Sequence, residues 1–369
     1  MSTNPFIRYR EQLDSYAPVR SGRMTDERFV EIVEEFDAAV SAVEGHGFVE
    51  TPLVDGSDLA AKAGLDVELI IKAEPHNVGG SHKARHLFGV ALHMLVDNAL
   101  EPANADAGAR LAIASCGNAA LGASVIARAM NRPLDVFVPV WADEAVVTKL
   151  AEHGATINRC ERREGEAGDP CYLRFSEAVD DGAQAFSVQG SDTPTTFDGG
   201  RTLGWELADQ TKADGGLDAM YIQVGGGALA TAVSMAMPDV RLHPVQAEDC
   251  APLRRAWDLL APDFDFDAAA GAPENFMTPW DDPQSFATGI LDDITYDWLP
   301  LLRRTHATGG EPVVAAESLI VSAYELAHAH TDVPVCSTGA AGFAGLLAEP
   351  PTKSERVGVL FTGIDRSGS

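Results

Sequence analysis

From residue 67 onward, short β-branched runs alternate with helical stretches, and this alternation allows few architectures. Strands are expected at 67–72, 110–114, 134–138, 156–159, 185–188, 220–224, 242–246 and 357–361. Helical patterns lie at 82–97, 118–130, 142–153, 200–210 and 229–237. Parallel strands need a long crossover, usually a helix, where antiparallel strands need only a tight turn. The spacing therefore predicts an α/β fold of parallel sheets with helices on both faces. A length of 369 residues exceeds one typical core and suggests about two domains. Residues 1–50 are polar and helix-prone, with Phe29, Val30, Ile32, Val33 and Phe36 at helical spacing, and read as an arm on the main body. The polar stretches 161–169 and 262–283 read as surface loops.

Charge and cysteine usage narrow the function classes. Against 55 Asp and Glu stand 27 Lys and Arg, a net charge of -28. Such a surface argues against nucleic acid or an anionic membrane as partner. Five scattered cysteines without a CxxC pair argue against a disulfide framework or a zinc site and fit a reducing cytoplasm. The first residues lack the apolar core of a signal peptide, and no apolar run reaches the roughly 20 residues of a membrane span.

In open α/β sheets, ligands bind beyond the carboxyl ends of the strands. Three such junctions, 79–83, 115–122 and 225–229, are rich in glycine or small polar residues and are expected to wall one site. The first carries Lys83 directly after Gly79-Gly80-Ser81-His82. A helix dipole disfavours a cation in the first turn, and field plus desolvation lower the pKa of an amine placed there. Lysine is scarce, the others being Lys62, Lys72, Lys149, Lys212 and Lys353. A lysine kept where arginine is otherwise preferred points to chemistry that arginine lacks, such as a Schiff base. A phosphate-binding lysine is the rival, although the GxxxxGK[ST] pattern is absent.

The second junction, Ser115-Cys116-Gly117-Asn118-Ala119, opens a helix. It is either a plain cap or a set of N–H groups for a carboxylate. Cys116 is either a thiol activated by the helix end or a small buried residue. The third junction, Gly225-Gly226-Gly227-Ala228-Leu229, gathers N–H groups at a helix start, which suits an anion. With Ala230 and Glu248 it also fits a dinucleotide fingerprint, so a dinucleotide, another phosphate ligand and an empty tight turn all stay open.

Read together and in order, these segments resemble the fold type II pyridoxal-phosphate enzymes: tryptophan synthase β, threonine synthase and the serine/threonine dehydratases. Lys72-x-Glu74-x-x-Asn77-x-x-Gly80-Ser81-His82-Lys83 resembles their cofactor-lysine segment, Ser115-Cys-Gly117-Asn118 their Ser-x-Gly-Asn loop, and Val224-Gly225-Gly226-Gly227 their phosphate cup. Phe197 to Glu206, Thr338 to Gly342 and Thr362-Gly363 resemble further blocks. The resemblance runs from about Thr51 to Gly363. It implies two parallel-sheet domains: a large one of 51–84 and 186–369, and a small one of 85–185. It implies pyridoxal 5'-phosphate as cofactor, an amino-acid substrate and a homodimer.

The roles implied are these. Lys83 forms the Schiff base and later acts as base. Asn118 bonds the phenolic oxygen. Gly225, Gly226, Gly227, Ala228 and Leu229 hold the phosphate. Thr362 faces the pyridine nitrogen through a neutral hydroxyl. Ser115, Cys116, Gly117 and Ala119 line the substrate-carboxylate loop, and residues 287–290 lie near the ring. His82 stands where the dehydratases and threonine synthases usually carry an aromatic and tryptophan synthase β has histidine, and the sequence departs from the family at Ala84 and at Val78-Gly79 in place of Pro-Thr.

The expected activity is α,β-elimination of the ammonia-lyase type, or β-replacement, on an L-amino acid such as serine or threonine. The alternatives are a threonine synthase-like lyase on a phosphorylated hydroxy amino acid, a nicotinamide-dependent oxidoreductase using 225–230 with Glu248, and a silent binding protein of the same fold. His86 is expected in packing or solvent, Arg85 at a phosphate or in an ion pair, and Trp141, Trp205 and Trp298 in packing. Asp292, Asp293 and Asp297 fit no calcium spacing and read as a solvated acidic face, so no metal is expected.

Overall fold

The computed structural model describes residues 3–102, 108–166, 168–261, 263–352 and 354–366. Its strands are β1 (Leu53–Asp55), β2 (Glu68–Ala73), β3 (Leu111–Ala114), β4 (Leu134–Pro139), β5 (Thr156–Cys160), β6 (Gln184–Ala185), β7 (Ala219–Gln223), β8 (Arg241–Ala247), β9 (Val313–Ala315) and β10 (Arg356–Phe361). They form two sheets. One has the order β1-β2-β10-β7-β8-β9, the other β5-β4-β3-β6. Every pairing is parallel except that of β1 with β2.

The chain divides into two compact units. One comprises Met1–Glu50 with Asn77–Thr202, the other Thr51–His76 with Leu203–Ser369. These boundaries differ from those expected at 84/85 and 185/186, and residues 1–50 group with the first unit. Helix Asp26–Glu44, whose Arg28 N–H is accepted by the Thr25 side chain, is part of the first unit. Phe6, Phe36 and Phe48 surround Phe88, with ring centroids 4.3, 4.5 and 4.8 Å away. The polar composition of the arm hid these few aromatics, which carry its burial.

In the second unit the larger sheet is buried on both faces, as parallel sheets are. Side chains alternate across it. Ala219 and Tyr221 of β7 face one core with Phe343 and Ile320. Met220 and Ile222 face another with Leu203, Val233 and Leu301.

Three details depart from expectation. The run 185–188 contributes only the two-residue β6. β1 and β9 are three residues each, too short to show a period. Residues 262–283 are not a plain loop: Asp265 caps a helix at Phe266–Gly271, and a 3-10 turn spans Pro273–Asn275. Residues 167 and 262, within the two expected loops, lie outside the described residues. Among the described residues no helix is long and apolar enough to cross a membrane.

Candidate active site

Each unit presents its own group of the expected residues. In the first unit Lys83 opens the helix Lys83–Leu100. The chain reaches it through Gly79 and Gly80, both left-handed at φ 69° and 70°. Glycine adopts this geometry without strain. The Lys83 N–H donates to Ser81 Oγ at 3.3 Å, and His82 provides no side-chain cap.

The loop Ser115–Gly117 leaves β3 and enters helix Asn118–Ala129, again with no side-chain cap. This helix lies directly against the lysine segment. A Cβ on Gly122 would sit 3.2 Å from Ala84 N, and one on Gly79 would sit 3.2 Å from Gly122 Cα. Backbone-to-backbone packing thus sets the first turns of helix Asn118–Ala129 against the segment that opens helix Lys83–Leu100.

Burial pushes the Cys116 thiol above its ordinary value. A protonated thiol is a poor nucleophile, so Cys116 is not an activated one.

Arg85 is fully buried and donates from Nη1 to Thr202 Oγ1 at 3.2 Å. His86 is buried as well, with Nδ1 3.0 Å from the Thr196 carbonyl. A carbonyl only accepts, so the imidazole proton resides on Nδ1. Burial first, and then the charge of Lys83, hold the His86 pKa down at about 3.

In the second unit β7 runs into Gly225-Gly226-Gly227 and the helix Ala228–Ala236. Gly227 is left-handed at φ 100° and leaves the helix start without a side-chain cap. A side chain at Gly225 would meet Asp292 Oδ2 at 2.5 Å and Ile290 Cα at 3.1 Å. One at Gly227 would press on Thr295, Asp297 and Leu301.

The acidic stretch is therefore not a solvated face. Asp297 is 3% exposed, and its N–H donates to Gly226 O at 2.8 Å. Nothing in the 292–297 pattern signalled this, because its partner lies some 70 residues earlier in the chain.

Thr362 follows β10, the parallel neighbour of β7, in the register Val357↔Ala219, Gly358↔Met220, Val359↔Tyr221. That register brings Thr362 level with the start of the glycine loop. Its buried hydroxyl oxygen accepts from Gln223 Nε2 at 2.7 Å. Gln223 was not singled out in the sequence. The available signal was a lone amide inside an otherwise apolar strand run.

The other residues singled out above lie as follows. Glu248 is exposed, and its Oε1 accepts the N–H of Glu317 at the start of helix Glu317–His330, so it is engaged in helix capping. Trp298 is buried, but Trp141 is 77% exposed and is not a packing residue. Among the described residues no group of three or more His, Cys, Asp or Glu is arranged to hold a metal ion.

A family profile described as pyridoxal-phosphate dependent enzyme matches residues 46–363. The chain belongs to this family. Pyridoxal phosphate is its cofactor, in place of the nicotinamide alternative. Over 319 residues, 85% of this chain and 87% of the relative, it is 26% identical to phenylserine dehydratase of Ralstonia pickettii. It is 24% identical over 340 residues to L-threo-3-hydroxyaspartate ammonia-lyase of a Pseudomonas species, covering 89% and 93% of the two chains. Among solved structures, the processed form of threonine deaminase isoform 2 from Solanum lycopersicum superposes with a TM-score of 0.67 at 18% identity, over 94% of this chain and 86% of that one. At that identity the likeness shows the shared fold.

The residues present fit the group. The uncapped N–H groups at 227–229 suit a phosphate without any basic side chain. The Thr362 hydroxyl, already accepting from Gln223, has its hydrogen left to donate.

Proposed function

We propose that the protein is an ammonia-lyase that removes the β-hydroxyl and then the amino group of an L-hydroxy amino acid. The observation that carries this reading is that the two relatives matched over most of their length are a dehydratase and an ammonia-lyase named for β-hydroxy amino acids.

When bound, pyridoxal phosphate supplies the electron sink for charge developing at the substrate α-carbon. The chain supplies the rest. Lys83 Nζ would hold the cofactor. With pyridoxal phosphate in place, its amine would take the α-proton and return a proton to the departing hydroxyl. The N–H groups of residues 225–229 hold the phosphate, and Asn118 holds the phenolic oxygen. Ser115, Cys116, Gly117 and Ala119 orient the substrate carboxylate so that the α-hydrogen faces Lys83. Thr362 meets the ring nitrogen with a neutral hydroxyl. This keeps the sink moderate and favours loss of a β-substituent over transamination. The same reading makes the protein a cytoplasmic homodimer, which light scattering after size exclusion checks.

The test is release of ammonia and a 2-keto acid from L-serine, L-threonine, L-phenylserine and L-threo-3-hydroxyaspartate. At least one is expected to react, and Lys83→Ala to lower the rate by roughly 10²–10⁴-fold or more. A cofactor-loaded protein inert toward all four sinks the lyase reading.

A further inference from the structure

Gln223 is 5% exposed and ends β7 directly before Val224 and the glycine loop. Its Nε2 lies 3.0 Å from Gly339 O, 3.2 Å from Leu360 O and 2.7 Å from Thr362 Oγ1. Two of these atoms are carbonyl oxygens, which only accept. The NH₂ end of the amide, not its oxygen, must therefore occupy this position. An amide nitrogen cannot accept, so Thr362 Oγ1 can act toward it only as acceptor. The single hydrogen of the Thr362 hydroxyl is thereby turned away from Gln223.

The other end of the amide is accommodated by packing alone. Its Oε1 has no hydrogen-bond partner among the described residues. It lies where a Cβ on Gly342 would come within 2.7 Å, so a bare glycine admits it. The geometry brings together the end of β7, the end of β10 and the helix Ser337–Ala348 at one hydroxyl group.

We infer that Gln223 is a positioning residue: its amide directs the Thr362 hydroxyl hydrogen to the ring nitrogen of the cofactor. The inference rests on the reading that Thr362 faces that nitrogen. A hydroxyl fixed as donor requires a neutral ring nitrogen as acceptor. Gln223 thus sets the strength of the electron sink without touching cofactor or substrate.

Removing the amide takes one donor from the Gly339 and Leu360 carbonyls. The Thr362 hydroxyl then swings to one of them and leaves the ring.

The experiment is NMR of holoenzymes loaded with pyridoxal phosphate carrying ¹⁵N in the ring. In the wild type the resonance should be that of a neutral, hydrogen-bonded nitrogen. Thr362→Val marks the position without a hydroxyl. Gln223→Met, and independently Gln223→Glu, should move the resonance toward the Thr362→Val position, while Thr362→Ser keeps it near the wild type. A purely structural role would lower the melting temperature of the Gln223 variants and leave the resonance in place. The inference is overturned if both Gln223 variants match the wild type while Thr362→Val is shifted. A protonated ring nitrogen in the wild type, or no shift in Thr362→Val, overturns it as well. The proposed function fails separately: shifts in the expected order without ammonia release from any substrate leave the positioning role standing and remove the lyase assignment.

Discussion

One turn from Lys83, His86 shows how burial decides a side chain's chemistry. Its pKa falls from 6.5 to about 3 because the imidazole is buried and Lys83 lies near. A base with a lowered folded-state pKa costs stability in acid. The unfolded chain takes up a proton that the folded chain refuses, and the loss develops as pH falls from about 6.5 toward 3. His86→Gln is expected to flatten the dependence of melting temperature on pH across that window. An unchanged pH profile would place the imidazole in contact with water.

Sequence reading served some residues better than others. Lys83 and the glycines were legible because their constraints are local: a helix start, a positive φ, a missing Cβ. Gln223 and Asp297 were not, because each acts on a partner far along the chain, at Thr362 and Gly226.

At the level of elements, glycine again sets the contacts. Helix Thr196–Thr211 crosses helix Lys83–Leu100 so closely that a Cβ on Gly199 would come within 2.0 Å of the Arg85 carbonyl oxygen. Backbone cannot yield as a side chain does. Gly199→Ala is expected to cost about 1–3 kcal/mol or more in chemical denaturation and to disturb the start of the lysine helix. Wild-type stability would refute the close crossing.

The same helix also anchors the N-terminal segment. The Asp198 carboxylate accepts from the N–H groups of Asp14 and Ser15 and pairs with His93 and Arg201. Burial alone would raise its pKa, but the His93 bond and the two backbone bonds outweigh it and hold it at about 2. Its stabilisation is complete above the ordinary carboxylate value of 3.8 and lost as pH falls toward 2. Asp198→Asn should loosen residues 1–50, read as faster hydrogen exchange there. Unchanged exchange would show that the aromatic cluster suffices. The alternation of strands and helices foretold the parallel sheets. It gave no sign of this anchoring, which depends on one acid reaching back 184 residues.

At the level of the whole molecule, the sequence carries an excess of 28 negative charges. Self-repulsion of that size destabilises the compact state and is screened by salt over about 10 Å at 0.1 M. Melting temperature should rise as sodium chloride is raised from low ionic strength, and a fall would show that attractive pairs dominate.

The central claim concerns one lysine among six. Lys72, in the same motif, is fully buried, and its Nζ donates to Thr51 O, Glu206 Oε2 and Gln210 Oε1 at 2.7–2.8 Å. Those three acceptors use all three of its hydrogens, leaving no nucleophile. The direct test is borohydride reduction of the cofactor-loaded protein, which makes the carbonyl–lysine linkage permanent, followed by peptide mass mapping. The account predicts the added mass on the peptide containing Lys83 and none in Lys83→Ala. Label on Lys72 or any other lysine, or on no peptide at all, would contradict it.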